Sequence, residues 1–194
     1  MIELENRLNK LEEKIKQPNF RKNKGLGNEV GYYVFDYPAE YELLVRERIE
    51  YLASKYENDN HDFRIVVFDL YDIIIDNLIR EGFLDICMDF EKAKGFSEIT
   101  KAVNEMLRME EDNQSNEILA HIRNNTPNNS IVFLKGVGKC FPMLRSHKIL
   151  NNLHQFIDDV PVIMFFPGKY DGQSLMLFSE IKDDNYYRAF KLVD

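Results

Sequence analysis

Two apolar runs restrict the fold more than any other feature of the sequence. Phe63 to Leu70 reads FRIVVFDL, and Val160 to Phe166 reads VPVIMFF. A strand with one wet face alternates apolar and polar residues, whereas a strand covered on both faces needs no alternation. Both runs therefore read as strands buried between two layers, with Phe63 to Leu70 the best candidate for a central strand. Ser130 to Leu134 (SIVFL) follows the loop NNTPNN with the same character, and Val30 to Asp36, which holds GYYVFD, is aromatic and β-branched. Leu175 to Phe178 and Phe190 to Val193 are shorter strand candidates.

Helical patterns separate these runs. Pro38 opens a helical stretch from Tyr41 to Ser54. Between Tyr71 and Arg123, helical periods are interrupted by Gly82, Gly95 and the polar stretch Glu110 to Asn116, which predicts three or four short helices. Ser146 to Phe156 predicts another. Alternation of this kind points to a three-layer α/β fold, with a mostly parallel open sheet, helices on both faces and a helical insertion between the second and third strands. At the N-terminus, Leu4, Leu8, Leu11 and Ile15 recur at helical spacing, so residues 2 to 16 predict an amphipathic helix. Pro18 and the run Arg21 to Gly27 end it. Its narrow stripe must lie on the body of the protein or pair with another chain. The expected plan is a helix and linker over 1–24 and one α/β domain over 25–194, with removal of residues 1 to 17 leaving that domain folded.

Composition excludes several functions. The 194 residues carry a formal net charge of −8, which opposes a protein whose whole surface embraces nucleic acid, so any such contact is local. The sequence begins Met-Ile-Glu, without the basic start and apolar core of a secretory signal, and Val160 to Phe166 is too short to span a bilayer. A cytoplasmic protein is expected. Two cysteines, Cys87 and Cys140, lie far apart with no CxxC or Cys/His cluster, so reduced thiols are expected rather than a disulfide framework or structural zinc. No cofactor or metal is called for.

Open α/β sheets bind ligands at the carboxyl ends of their strands, which directs attention to Asp36, Asp69, the GVGK turn after Leu134 and the PGKYDG turn after Phe166. A nucleotide-binding P-loop needs a glycine before four intervening residues and the Gly-Lys pair, then Ser or Thr to hold magnesium. Around Lys139 those positions hold Phe133 and Cys140, and around Lys169 they hold Ile163 and Tyr170. Both motifs read better as tight turns needing positive φ. Asp36 and Asp69, if at neighbouring strand ends, could bind magnesium or share acid–base work; as residues preceding helices they also suit capping and loop anchoring. Arg145, Ser146 and His147 stand side by side, but adjacency in sequence does not make a catalytic triad, and Ser146 suits an N-cap.

The charge distribution is less ordinary. No Asp or Glu occurs from Ile118 to Ile157, whereas Arg123, Lys135, Lys139, Arg145 and Lys148 do, together with His121, His147 and His154. These groups could form a basic patch for an acidic partner or a nucleic-acid backbone, or could pair with the acidic tail around Asp158, Asp183 and Asp184. If Leu134 and Phe166 end adjacent parallel strands, then Lys135, Lys139, Arg145, His147 and Lys169 converge as a partner-binding cluster.

GNEVGYYVFDYPAEYEL (27–43), VFLKGVGKCFPMLRSHKILNNL (132–153), DDVPVIMFFPGKYDGQSLMLF (158–178) and KDDNYYRAFKLV (182–193) resemble the BrxB family of bacterial BREX phage-defence systems. The resemblance spans nearly the whole chain after the first helix, and GVGK-x-FP-x-LRSH and PGKYDG are its most specific parts. It implies a cytoplasmic protein encoded beside a DNA adenine methyltransferase, a large ATPase and PglZ, an alkaline-phosphatase-like protein. The implied role is a non-catalytic assembly component with PglZ as the favoured partner; it supplies no catalytic residues. The alternative is a cryptic nucleotide- or nucleic-acid-processing enzyme built around Asp36, Asp69 and Lys139.

Overall fold

The computed structural model describes residues 1–21, 31–57, 62–109, 111, 115–183 and 189–193, the side chains of 146–148 and 183 excepted. Strands β1 (Tyr32–Tyr37), β2 (Arg64–Asp69), β3 (Ser130–Lys135), β4 (Val162–Tyr170) and β7 (Phe190–Lys191) form a parallel sheet in the order β2-β3-β4-β1-β7. Two short strands, β5 (Leu175–Leu177) and β6 (Ile181–Asp183), extend β4 in antiparallel fashion. Strand β6 was not expected from the sequence.

The apolar runs are explained by cover on both faces, but β2, expected from FRIVVFDL to be the central strand, stands at one end of the strand order, with Arg64 exposed and Val66 and Val67 half-buried. Tyr32, Val34, Val132, Leu134, Val162, Met164 and Phe166 point to one face, and Phe35, Tyr37, Ile131, Phe133, Ile163 and Phe165 point to the other. On the first face lie α4 (Leu70–Arg80), α7 (Glu117–Asn124), the short α8 (Val137–Cys140) and α9 (Ser146–Leu153), with α5 (Leu84–Lys94) and α6 (Phe96–Met106) joining the same core. Four of these helices, α4 to α7, make the insertion between β2 and β3. On the second face lie α1 (Ile2–Ile15), α2 (Pro18–Arg21) and α3 (Glu42–Lys55). The three-layer α/β architecture expected from the sequence is thus present. No helix among the described residues is long and apolar enough to cross a membrane.

The N-terminal helix is part of this core. Leu11 and Ile15 are fully buried against the sheet. The carboxylate of Glu12 accepts from Arg48 at 2.8 Å and Lys55 at 2.7 Å, and Lys16 lies 3.2 Å away. Arg7 donates to the Asp36 carbonyl at 2.8 Å, and Lys14 donates to the Leu192 carbonyl at 2.8 Å. This packing argues against the expectation that residues 1 to 17 are dispensable: their removal would uncover the part of the face that α3 does not reach. Pro18 begins a helical turn with Phe20 buried rather than a linker. Residues 22–30, including most of the Arg21 to Gly27 run, lie outside the described residues.

Three local expectations change. PGKYDG makes its positive-φ turn at Gly172, at +94°, and not at Gly168: β4 continues to Tyr170 because Gly168, Lys169 and Tyr170 pair with Leu177, Met176 and Leu175. A Cβ at Gly168 would collide with the Met176 carbonyl, so glycine is needed there for close strand approach. Positive φ is found at Gly136, at +83°, as expected for the GVGK turn, but Gly138 sits inside α8. Ser146 is the first residue of α9, with Arg145 in the N-cap position, so the serine does not hold the capping place expected of it.

Candidate functional site at the carboxyl edge of the sheet

In an open α/β sheet the ligand crevice opens where connections from adjacent strands leave toward opposite faces. Here that place lies between β1, followed by α3 on one face, and β4, whose extension packs Leu175 and Leu177 into the other core. Asp36 occupies it and is saturated. Its Oδ1 accepts from Arg7 Nη2 at 2.6 Å, its Oδ2 accepts from the Tyr170 amide at 3.1 Å, and Lys191 Nζ lies 3.8 Å away. The Tyr170 hydroxyl donates to the Ala189 carbonyl at 2.6 Å. One carboxylate thus ties α1, β1, β4 and β7 together, and these groups close the crevice.

Asp69 stands at the end of β2 and caps α4, as its position before a helix suggests. Its Oδ1 accepts from the amides of Tyr71 at 3.1 Å and Asp72 at 3.4 Å. Its Oδ2 accepts from Lys139 Nζ at 2.6 Å, and Lys135 lies 3.9 Å away. The left-handed Gly136 makes this possible, because a Cβ there would collide with the Asp69 carboxylate. Burial disfavours the Lys139 ammonium, but its bonds to Asp69 and Asp72 outweigh burial and raise its pKa above the ordinary lysine range. Lys139 is therefore a fixed cation and not a base. Beside it the Cys140 thiol is fully buried, and burial, reinforced by Asp69 and opposed by Lys139, pushes its pKa up to about 12. It carries no nucleophilic thiolate at neutral pH.

The strand order separates the two aspartates that the sequence placed at neighbouring ends. With β3 and β4 between them, β1 and β2 lie about 14 Å apart at the usual strand spacing. One metal cannot bridge that gap. Among the described residues no group of three or more His, Cys, Asp or Glu side chains could hold a metal ion.

The expected basic cluster is also divided. Strands β3 and β4 are adjacent and parallel, as supposed. Yet Lys135 and Lys139 turn to acids of β2, α3 and α4, with Lys135 3.8 Å from Glu50 and Lys139 3.4 Å from Asp72. Arg145 is exposed beside an apolar pocket of about 140 Å³, walled by Phe141, Leu144, Leu175, Leu177 and Ile181. Lys169 lies in register with Met176 and Lys182, on the face of the β4–β6 extension opposite Leu175 and Leu177. His147 belongs to α9, and its side chain lies outside the described residues, as do those of Lys148, Asp183 and Asp184. Arg123 packs over the Phe156 ring at 5.8 Å.

Sequence reasoning missed Arg7, Glu50, Asp72 and Asp76. Arg7 sits on the polar side of an amphipathic pattern, where nothing local foretells a partner 29 residues away. Glu50, Asp72 and Asp76 line an open groove of about 450 Å³ with Val67, Ile73 and His121, and three separate helices have to meet to form it. The i,i+4 spacing of Asp72 and Asp76 was the available signal.

Comparison with known proteins decides the family. A family model described as "BREX protein BrxB" matches residues 66–192. A BREX protein BrxB of Bacillus cereus (strain H3081.97) is 48% identical over 194 residues, covering all of both chains. A second, from Escherichia coli O9:H4 (strain HS), is 33% identical over 190 residues, which is 98% of this chain and 92% of that protein. The chain belongs to the BrxB family. Membership gives it a role in a BREX phage-defence system. No solved structure matches the chain. The BrxB family model covers Asp69, Lys139 and the Arg145 pocket but begins after Asp36, whereas the similarity to the Bacillus BrxB spans the positions of α1 and Asp36 as well.

Proposed function

We propose that the protein is a cytoplasmic, non-catalytic assembly component of a BREX complex, and that it docks with the alkaline-phosphatase-like PglZ. The methyltransferase and ATPase of the system are further candidate partners. The observation that carries the non-catalytic part is the saturation of Asp36 in the crevice where such sheets bind ligands. Asp69 is similarly committed to a helix cap and a lysine, which weakens the alternative of a nucleotide- or nucleic-acid-processing enzyme.

For docking, the exposed Arg145 beside an apolar pocket suits a partner segment with a buried aliphatic or aromatic side chain next to a carboxylate. The guanidinium would grip the carboxylate through two hydrogen bonds while the pocket takes the apolar group. The test is a binding titration with purified PglZ at two salt concentrations, using wild type, Arg145→Ala and Lys139→Ala, with circular dichroism as the folding control. Arg145→Ala should cost about 2 kcal/mol of affinity, and added salt should weaken wild-type binding. Lys139→Ala should act on stability, since Lys139 is turned to Asp69. Unchanged affinity in a folded Arg145→Ala protein would rule this surface out. No PglZ binding by wild type, but capture of the methyltransferase or ATPase, would redirect the assignment.

A further inference from the structure

Among the described residues the sheet ends at β2, which pairs with β3 alone, so its other side is an open edge. Which main-chain groups face outward follows from the register. The Arg64 amide donates to the Asn129 carbonyl, on the β3 side, at 3.3 Å. Main-chain groups alternate in direction along a strand, so Arg64, Val66 and Phe68 serve β3, and the amides and carbonyls of Ile65 and Val67 point away from the sheet.

Exposed edges usually carry a device against strand addition, such as a lysine, a proline or a bulge in the strand. Arg64, exposed at the start of β2, is the strand's one basic residue; Ile65 and Val67 supply no such device, and β2 pairs with β3 without a bulge over six residues, roughly 20 Å of edge. The edge also lies in the open groove of about 450 Å³, with Glu50 of α3 on one bank and Asp72 and Asp76 of α4 on the other. All three acids are exposed. Counting Asp69, four carboxylates stand there against the two ammonium groups of Lys135 and Lys139. Val67 and Ile73 supply an apolar floor.

We propose that the β2 edge is a docking strand for an extended, basic segment of a partner chain, which joins the sheet beside Ile65 and Val67. Main-chain hydrogen bonds hold such a segment, alternate apolar side chains meet the groove floor, and lysines or arginines meet Glu50, Asp72 and Asp76. This surface is separate from the Arg145 pocket, so either site can fail without the other.

The probe is an array of ten-residue peptides in which Lys or Arg alternates with Val, Ile or Thr, titrated against the full chain at low and high salt. Binding should protect the amides of Ile65 and Val67 from hydrogen exchange, and replacing the basic residues by Glu should abolish it. The exposed double variant Asp72→Lys/Asp76→Lys should lose at least ten-fold in affinity with an unchanged circular dichroism spectrum. Val67→Pro, which removes one outward amide, should lose binding as well; if that variant fails to fold, the double variant alone decides. Absence of binding to every basic peptide at millimolar concentration overturns the proposal, as does binding that leaves Ile65 and Val67 unprotected or survives the double variant. Protection of the same amides by dimerisation of the chain, without peptide, would assign the edge to a second copy and also overturn it.

Discussion

Asp36 and Asp69 end two strands of one sheet, and their surroundings give them different tasks. Asp36 is a knot between four elements, whereas Asp69 caps a helix and anchors a lysine at the edge of a groove. Removing the Lys139 ammonium while leaving Asp69 half-satisfied should destabilise the protein, and Lys139→Met is expected to lower stability by about 1–2 kcal/mol in urea unfolding near neutral pH. Since the folded protein raises the Lys139 pKa above its ordinary value of 10.5, that contribution is complete below this value and is lost as pH rises through the folded pKa. The gap between wild type and variant should therefore close in strongly alkaline solution; a gap that persisted there would assign the effect to packing over Tyr71, whose ring lies 5.1 Å from the ammonium. Nearby, Cys140 offers a second check. Both thiols are buried and have pKa values raised by burial, so a disulfide reagent at pH 8 should leave Cys87 and Cys140 largely unmodified until denaturant is added. Fast labelling of Cys140 in the native protein would show that α8 opens readily, and fast labelling of Cys87 would show the same of α5.

At the scale of elements, α1 makes the sharpest prediction. Four apolar residues at helical spacing fill a slot over β1 and α3, and Glu12 at their centre gathers basic groups from α3. Leu11→Ala should cost about 2–5 kcal/mol, the range for a fully buried leucine, and deletion of residues 1–17 should give an insoluble protein or one melting far below the parent. A truncated chain with the parent's melting temperature would show that α3 alone suffices to cover this face. The stripe itself was legible in the sequence, but its destination was not, because a narrow apolar seam fits a sheet and a second helix equally well. Burial patterns were legible for the same reason that the strands are short: continuous apolar runs such as FRIVVFDL leave little other choice. The length of β4 was hidden by Pro167, Gly168 and Lys169, which read as a turn; Pro167 pairs instead with Tyr37 of β1, and Gly168 and Lys169 pair with β5. The site was legible only in part. Local sequence identified Asp69 as a cap, but the partners of Lys135 and Lys139 come from β2, α3 and α4, at least 66 positions earlier, and no local pattern carries that information.

At the scale of the whole molecule, the strand order decides what the carboxyl edge can do. Hydrolysis by paired metal ions needs two cations about 4 Å apart, held by shared carboxylates. The order β2-β3-β4-β1 keeps Asp69 and Asp36 about 14 Å apart, and each is already engaged by cationic side chains. A nucleotide route fares no better, because Cys140 and Tyr170 stand where a P-loop needs Ser or Thr for magnesium, and both are buried in the core. The isolated protein is thus expected to release no phosphate from ATP or GTP and to cut neither single- nor double-stranded DNA, with magnesium or manganese present. Phosphate release and gel assays on wild type, Asp36→Asn and Asp69→Asn, each checked for folding by circular dichroism, make the test. Activity equal in all three proteins would point to a contaminant. Metal-dependent hydrolysis present in wild type and lost in a folded Asp69→Asn protein would reverse the assignment and move the chemistry to the open groove that Asp69 borders.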